Sequence, residues 1–158
     1  MHMHMKKLLI LVPVLCSLAF SADATAGKSL DDQVDPGITD GTAVREFRQA
    51  REKWLGQGIA DYRMKAARTC FCAGPFQAKI TVRKGKPVKI SNRPWYGPRT
   101  VPGMFRIISQ AIKRKVAVLD VKYDQKLGFP KKAWIDYIAM AADDEIGYRI
   151  KNVSPLKP

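Results

Sequence analysis

After His4 the chain contains no histidine. That removes the side chain most used near neutral pH for general acid–base catalysis, for activating a nucleophile and for holding a metal. Cysteine is scarce too: Cys16, Cys70 and Cys72 are all there is, and without histidine they cannot complete a four-ligand zinc site. No metal centre and no cofactor are expected. Leu8–Phe20, the main apolar run, falls short of the roughly 20 residues that a membrane-spanning helix needs. The fourth absence is negative charge. No aspartate or glutamate occurs between Asp61 and Asp120, while fourteen lysines and arginines do, and the chain carries a formal net charge of +14. Such a field favours anionic partners and steers them in.

The start of the chain has the layout of a secretory signal peptide: Lys6 and Lys7, the apolar run, then Ala24-Thr25-Ala26 as a small-x-small cleavage site. Cleavage near Ala26 removes both histidines and Cys16. Segment 1–26 is read as the signal peptide, 27–39 as a polar, acidic, flexible leader, 40–154 as a single domain and 155–158 as a tail. The expected location is the periplasm or the medium. Export makes nucleic acid a poor candidate partner and leaves anionic lipid, acidic glycan or an acidic protein.

Within the domain the hydrophobic periodicity changes several times. From Thr42 to Gly56 it is helical, with Val44, Phe47, Trp54 and Leu55 on one side. Tyr62, Met64 and Ala66 alternate with polar residues as a strand that ends in Cys70-Phe71-Cys72. Phe76, Ala78, Ile80 and Val82 alternate as a second, Lys84-Gly85 signals a tight turn, and Val88 and Ile90 belong to the return strand. Asn92 to Arg99 is a loop around Trp95-Tyr96. Thr100 can cap a second helix with Pro102 in its first turn and Val101, Met104, Phe105, Ile108, Ala111 and Ile112 on one face. Val116 to Val153 reads as three more strands. The expected fold is α+β: two α-β-β-β units forming an antiparallel meander with the helices packed on one face.

Four constellations could carry chemistry. Cys70 and Cys72 could form a disulfide of structural value, stay reduced, or serve a thiol-redox accessory function. On a regular strand their Cα atoms would be about 6.6 Å apart, near the upper limit for a disulfide. Asp136, Asp143, Asp144 and Glu145, with Asp120 and Asp124 upstream, could in principle support a small carboxylate-based hydrolase or bind calcium. Neither spacing is diagnostic, and acids in a hairpin loop are commonly solvated or paired with lysine. Trp95 and Tyr96 could stack on a sugar or lie back over the sheet edge. Tyr123-Asp124 before Gly128-Phe129-Pro130 fits hairpin closure. Lys79 and Arg83 share the polar side of one strand, with Lys89 on the same side of its partner and Arg93 and Arg99 in the adjoining loop. These five, with Trp95 and Tyr96, make up the candidate binding surface.

In order, Trp54, Tyr62, Cys70-Phe71-Cys72, Phe105, Tyr123-Asp124, Gly128-Phe129-Pro130, Ile135-Asp136, Asp143-Asp144-Glu145 and Tyr148 resemble a family of small exported bacterial proteins of unknown function. That family shares a Cys-x-Cys strand, a Tyr-Asp…Gly-Tyr/Phe-Pro hairpin and an Asp-Asp-Glu loop. The resemblance implies an exported single-domain α+β protein and no assigned activity. Together these readings favour an exported, non-catalytic binding module for an anionic envelope component, with the hydrolase and the thiol-redox protein as alternatives. Intact mass of the exported protein should show a chain beginning at Gly27. A lipid-modified Cys16 as the new N-terminus would refute that address.

Overall fold

The computed structural model describes residues 33–157. The segment expected to be a signal peptide (with Cys16), the start of the expected leader and Pro158 lie outside them. The elements are α1 (Pro36–Thr39), α2 (Thr42–Gly56), β1 (Tyr62–Thr69), β2 (Gln77–Arg83), β3 (Lys86–Ile90), α3 (Val101–Lys113), β4 (Val118–Tyr123), β5 (Pro130–Asp136) and β6 (Ile146–Pro155). No helix among the described residues is long and apolar enough to cross a membrane.

α1 and α3 start where the sequence supplies caps. Thr100 caps α3, accepting a hydrogen bond from the Gly103 amide at 2.9 Å, and Asp35 caps α1, accepting from the Gly37 amide at 2.8 Å. α2 begins after Gly41 without a side-chain cap; Asp40, just before it, accepts from the Thr42 amide at 2.7 Å. Asp35 pins the end of the acidic leader to the domain. Its amide donates to the Val116 carbonyl at 2.9 Å, and its carboxylate accepts from the Leu119 amide at 2.8 Å.

All six strands form one antiparallel sheet in the order β3-β2-β1-β6-β5-β4. This corrects the expected two α-β-β-β units in a sequential meander. Short links do make the local hairpins, but the sheet's centre is a pairing of the first strand with the last, Tyr62 to Thr69 against Pro155 to Gly147. A third short helix, α1, precedes the rest. The physical reason is that either half alone would leave a long strand with an open row of backbone donors and acceptors. Joining β1 to β6 satisfies both rows and merges the halves around one core. A sheet with helices remains α+β in the broad sense.

Period-two alternation decides which face is covered. Tyr62, Met64, Ala66, Ala78, Ile80, Val82, Ala133, Ile135, Tyr148 and Ile150 are buried against the inward faces of α2 (Ala50, Trp54) and α3 (Met104, Phe105, Ile108, Ala111). Trp54 anchors the seam, packing edge-on to Tyr62 at 5.6 Å and Phe129 at 6.4 Å between ring centroids. The Tyr62 hydroxyl accepts from the Val101 amide at 2.9 Å, and burial holds its ionisation above the ordinary tyrosine range.

The β4–β5 hairpin docks under α2 through Gly128. Its φ is +82°, and a Cβ there would stand 2.5 Å from the Ala50 carbonyl oxygen and 2.9 Å from the Trp54 amide nitrogen. Gly85, in the β2–β3 turn, has a similar φ of +72° but open space around it. Gly85→Ala should therefore cost only the backbone strain of the left-handed region, about 1 kcal/mol. Gly128→Ala adds overpacking against immovable backbone and should cost about 3 kcal/mol. Urea unfolding of the two variants checks this; equal losses would remove the docking role of Gly128.

Candidate functional site

The face of the sheet opposite the helices is uncovered, and it is basic. On β2, Lys79 and Arg83 point outward with Thr81 between them, and Lys89 of β3 stands opposite Thr81. These three expected residues are thus on one face. Arg83 is spoken for: it contacts the Asp61 carboxylate at 3.0 Å. Asp61 also accepts from the Lys84 amide at 2.6 Å. That backbone bond, then Arg83, holds Asp61 below the usual carboxylate range.

Residues further along the same face complete it. Lys65 of β1 lies directly between Lys79 of β2 and Lys151 of β6. The next row runs Lys122, Lys132, Arg149, Ala67, Gln77 across β4, β5, β6, β1 and β2. Strands lie about 4.8 Å apart, so each row places cations within one Debye length, roughly 8 Å at physiological salt. Lys132 and Lys122 contact Asp120 at 2.7 and 3.6 Å, and the Lys132 bond holds Asp120 below the ordinary carboxylate range. Among the described residues, Lys65, Lys79, Lys151 and Arg149 have no carboxylate within ion-pair distance. Like charges opposite one another in a sheet are destabilising, so this row is a cost carried by the fold.

Ala67, short among long neighbours, floors a cleft of about 700 Å³ on this face. Lys65, Arg149 and Lys151 line it on the basic side, and Phe76 and Cys70 close its end. At that end β1 stops at Thr69 and the chain bends, so the Cys70 and Cys72 sulfurs come into close contact with their Cα atoms 5.3 Å apart. The pair sits beyond the strand rather than on it, which relieves the spacing a regular strand would impose.

Beneath this loop lies Arg68, the one buried charged side chain among the described residues, at 7 % exposure. It donates to the Ala73 carbonyl and packs its guanidinium under the rings of Tyr96 at 5.2 Å and Phe76 at 6.0 Å. The alternation Tyr62, Met64, Ala66 points to position 68 as an inward residue, so its burial was signalled in the sequence. That signal is easy to pass over in a strand rich in arginine and lysine.

The aromatic loop residues part company. Trp95 is 2 % exposed, with its indole N–H donating to the Pro98 carbonyl at 3.1 Å. Tyr96 is 62 % exposed. Arg93 and Arg99 line a separate cleft with Pro87, Ile90 and Trp95; Ile90 and Trp95 belong to the helix-covered side, so these arginines do not extend the Lys79 row.

The acids gather in the β5–β6 loop. Asp136 accepts from the Ile138 amide at 3.2 Å. Desolvation first, and then the neighbouring charge of Asp144, raises its proton affinity above the ordinary carboxylate value. Both Asp144 oxygens are enclosed without a hydrogen-bond partner among the described residues. No group of three potential metal ligands occurs among the described residues. Because Asp136 binds its proton more tightly folded than unfolded, its contribution is fully present below the unfolded pKa, near 3.8. It is lost as pH rises through the higher folded value. Asp136→Asn should therefore gain stability relative to the parent as pH is raised from about 4 to about 7. A pH-independent difference in urea midpoints would contradict the raised proton affinity of Asp136.

Residues 46–155 match the model of a family of unknown function, DUF6174. The match runs from within α2 to the end of β6 and upholds the coarse part of the sequence resemblance, a family without an assigned activity. It says nothing of export, of the motifs or of bacterial origin. No curated protein matches the chain, and no solved structure does.

Proposed function

Because the chain belongs to the DUF6174 family, from which no activity is inherited, we propose on the strength of its own residues that it is an exported, non-catalytic binding module. Its open sheet face binds an anionic component of the cell envelope. The observation that supports this most is the row Lys79, Lys65, Lys151: three lysines in register on adjacent strands, without carboxylate partners among the described residues. A surface shaped only by solubility would intersperse both signs. Here like charges are juxtaposed where an anion, by binding, relieves their repulsion. Arg149 and the Lys122–Lys132 pair broaden the row into a band. Export rests on the Lys6-Lys7 region, the apolar run and the Ala24-Thr25-Ala26 site.

Inorganic polyphosphate is a suitable soluble test anion. The protein should bind it at low salt, with affinity falling steeply as salt rises. Lys65→Glu, which sets an acid between two lysines, should weaken binding at least tenfold while leaving the melting temperature unchanged or slightly raised. A variant that binds as well as the parent, or a parent that does not bind at low salt, reduces the band to a solvated face.

A further inference from the structure

Three loops emerge at one end of the sheet: 70–76 after β1, 91–100 after β3, and 137–145 after β5. The first two carry aromatic side chains into solvent. Phe71 is 83 % exposed, Phe76 48 % and Tyr96 62 %. Phe71 stands between Cys70 and Cys72, which fold the backbone back on itself. Arg68 supports the loop from below through the Ala73 carbonyl and the two rings it packs against. The loop is therefore an apolar tip held by polar contacts from beneath. The cleft that contains Lys65, Arg149 and Lys151 ends against its base at Cys70 and Phe76.

We infer that the anionic component bound by this protein is a lipid bilayer, with the β1–β2 loop as the part that enters it; this rests on the anion-binding reading above. Exposed aromatics beside unpaired cations match the two layers of an anionic membrane in order. Tyr is favoured at the headgroup boundary, Phe buries its ring between headgroups and acyl chains, and lysines and arginines stay level with the phosphates. A glycan can stack on one face of an aromatic ring, but Phe71 is 83 % exposed and is not part of the cationic cleft's lining. A ring standing free on all sides gains most from a medium that surrounds it, as the bilayer does. The third loop, which joins β5 to β6, carries the acids Asp143, Asp144 and Glu145 together with the exposed Ile138 and Met140.

The exported protein and its Phe71→Ser and Phe71→Trp variants can be sedimented with vesicles of equimolar phosphatidylglycerol and phosphatidylcholine, and with phosphatidylcholine alone. Phe71 is 83 % exposed and belongs neither to the core nor to the residues packed against it, so its variants should melt with the parent. Phe71→Ser should bind the anionic vesicles roughly tenfold more weakly and polyphosphate as well as the parent does. Phe71→Trp should add an emission component that shifts to the blue on anionic vesicles and is quenched by brominated lipid. Equal vesicle binding by Phe71→Ser and the parent, or no blue shift, overturns the insertion. Binding to polyphosphate and polygalacturonate without binding to vesicles overturns it too, in favour of a soluble polyanion, and leaves the open-face reading standing. Failure of the parent to bind any of these at low salt removes both.

Discussion

Pairing of β1 with β6 holds the two halves of this protein in one sheet, and most of what matters in the structure follows from it. Among the described residues, β1 alone is flanked by an early neighbour, β2, on one side and by the last strand, β6, on the other. Closing so long a loop adds little entropic cost over a shorter one, because that cost grows only logarithmically with length. In return, two rows of backbone groups that would face water as sheet edges find partners. The helices then share a single core in which Trp54, Tyr62, Phe105 and Phe129 meet. Two edges remain, β3 and β4; that at β3 is blunted by Lys86, Pro87 and Lys89, residue types that discourage a further strand.

The same pairing makes the basic face. Lys65 and Lys151 belong to opposite ends of the domain, and only the β1–β6 register sets one against the other. Stability resides on the other side of the sheet, where apolar side chains are almost fully buried. The open face can therefore hold like charges together at modest cost, in water and salt that screen them. Where a carboxylate is supplied, as Asp120 to Lys132 and Asp61 to Arg83, the pairs lie toward the margins, and the centre of the face stays unpaired.

Arg68 and Phe71 show how local backbone chemistry shapes the end of this face. The strand stops at Thr69, the Cys-x-Cys turn carries Phe71 outward, and a buried guanidinium holds the turn's far side through the Ala73 carbonyl. An arginine is suited to this because its flat face accepts aromatic rings while its edge donates hydrogen bonds.

Composition and periodicity determined a good deal without any coordinates. The lack of histidine beyond position 4 withheld the usual catalytic and metal-binding vocabulary. The periodic runs located α2 and α3, and the alternation marked which residues of β1 and β2 face inward, since helix and strand periods are properties of neighbours in the chain. Lys79, Arg83 and Lys89 were legible as one face for the same reason. The tertiary structure decided what depends on distant residues: that β1 meets β6, that Lys65, Lys151 and Arg149 complete the band, and that Trp95 is buried while Tyr96 is not. It also separated Arg93 and Arg99 from the row they were expected to extend. Register between strands far apart in sequence is chosen by burial and backbone pairing across the whole sheet, and no local pattern encodes it.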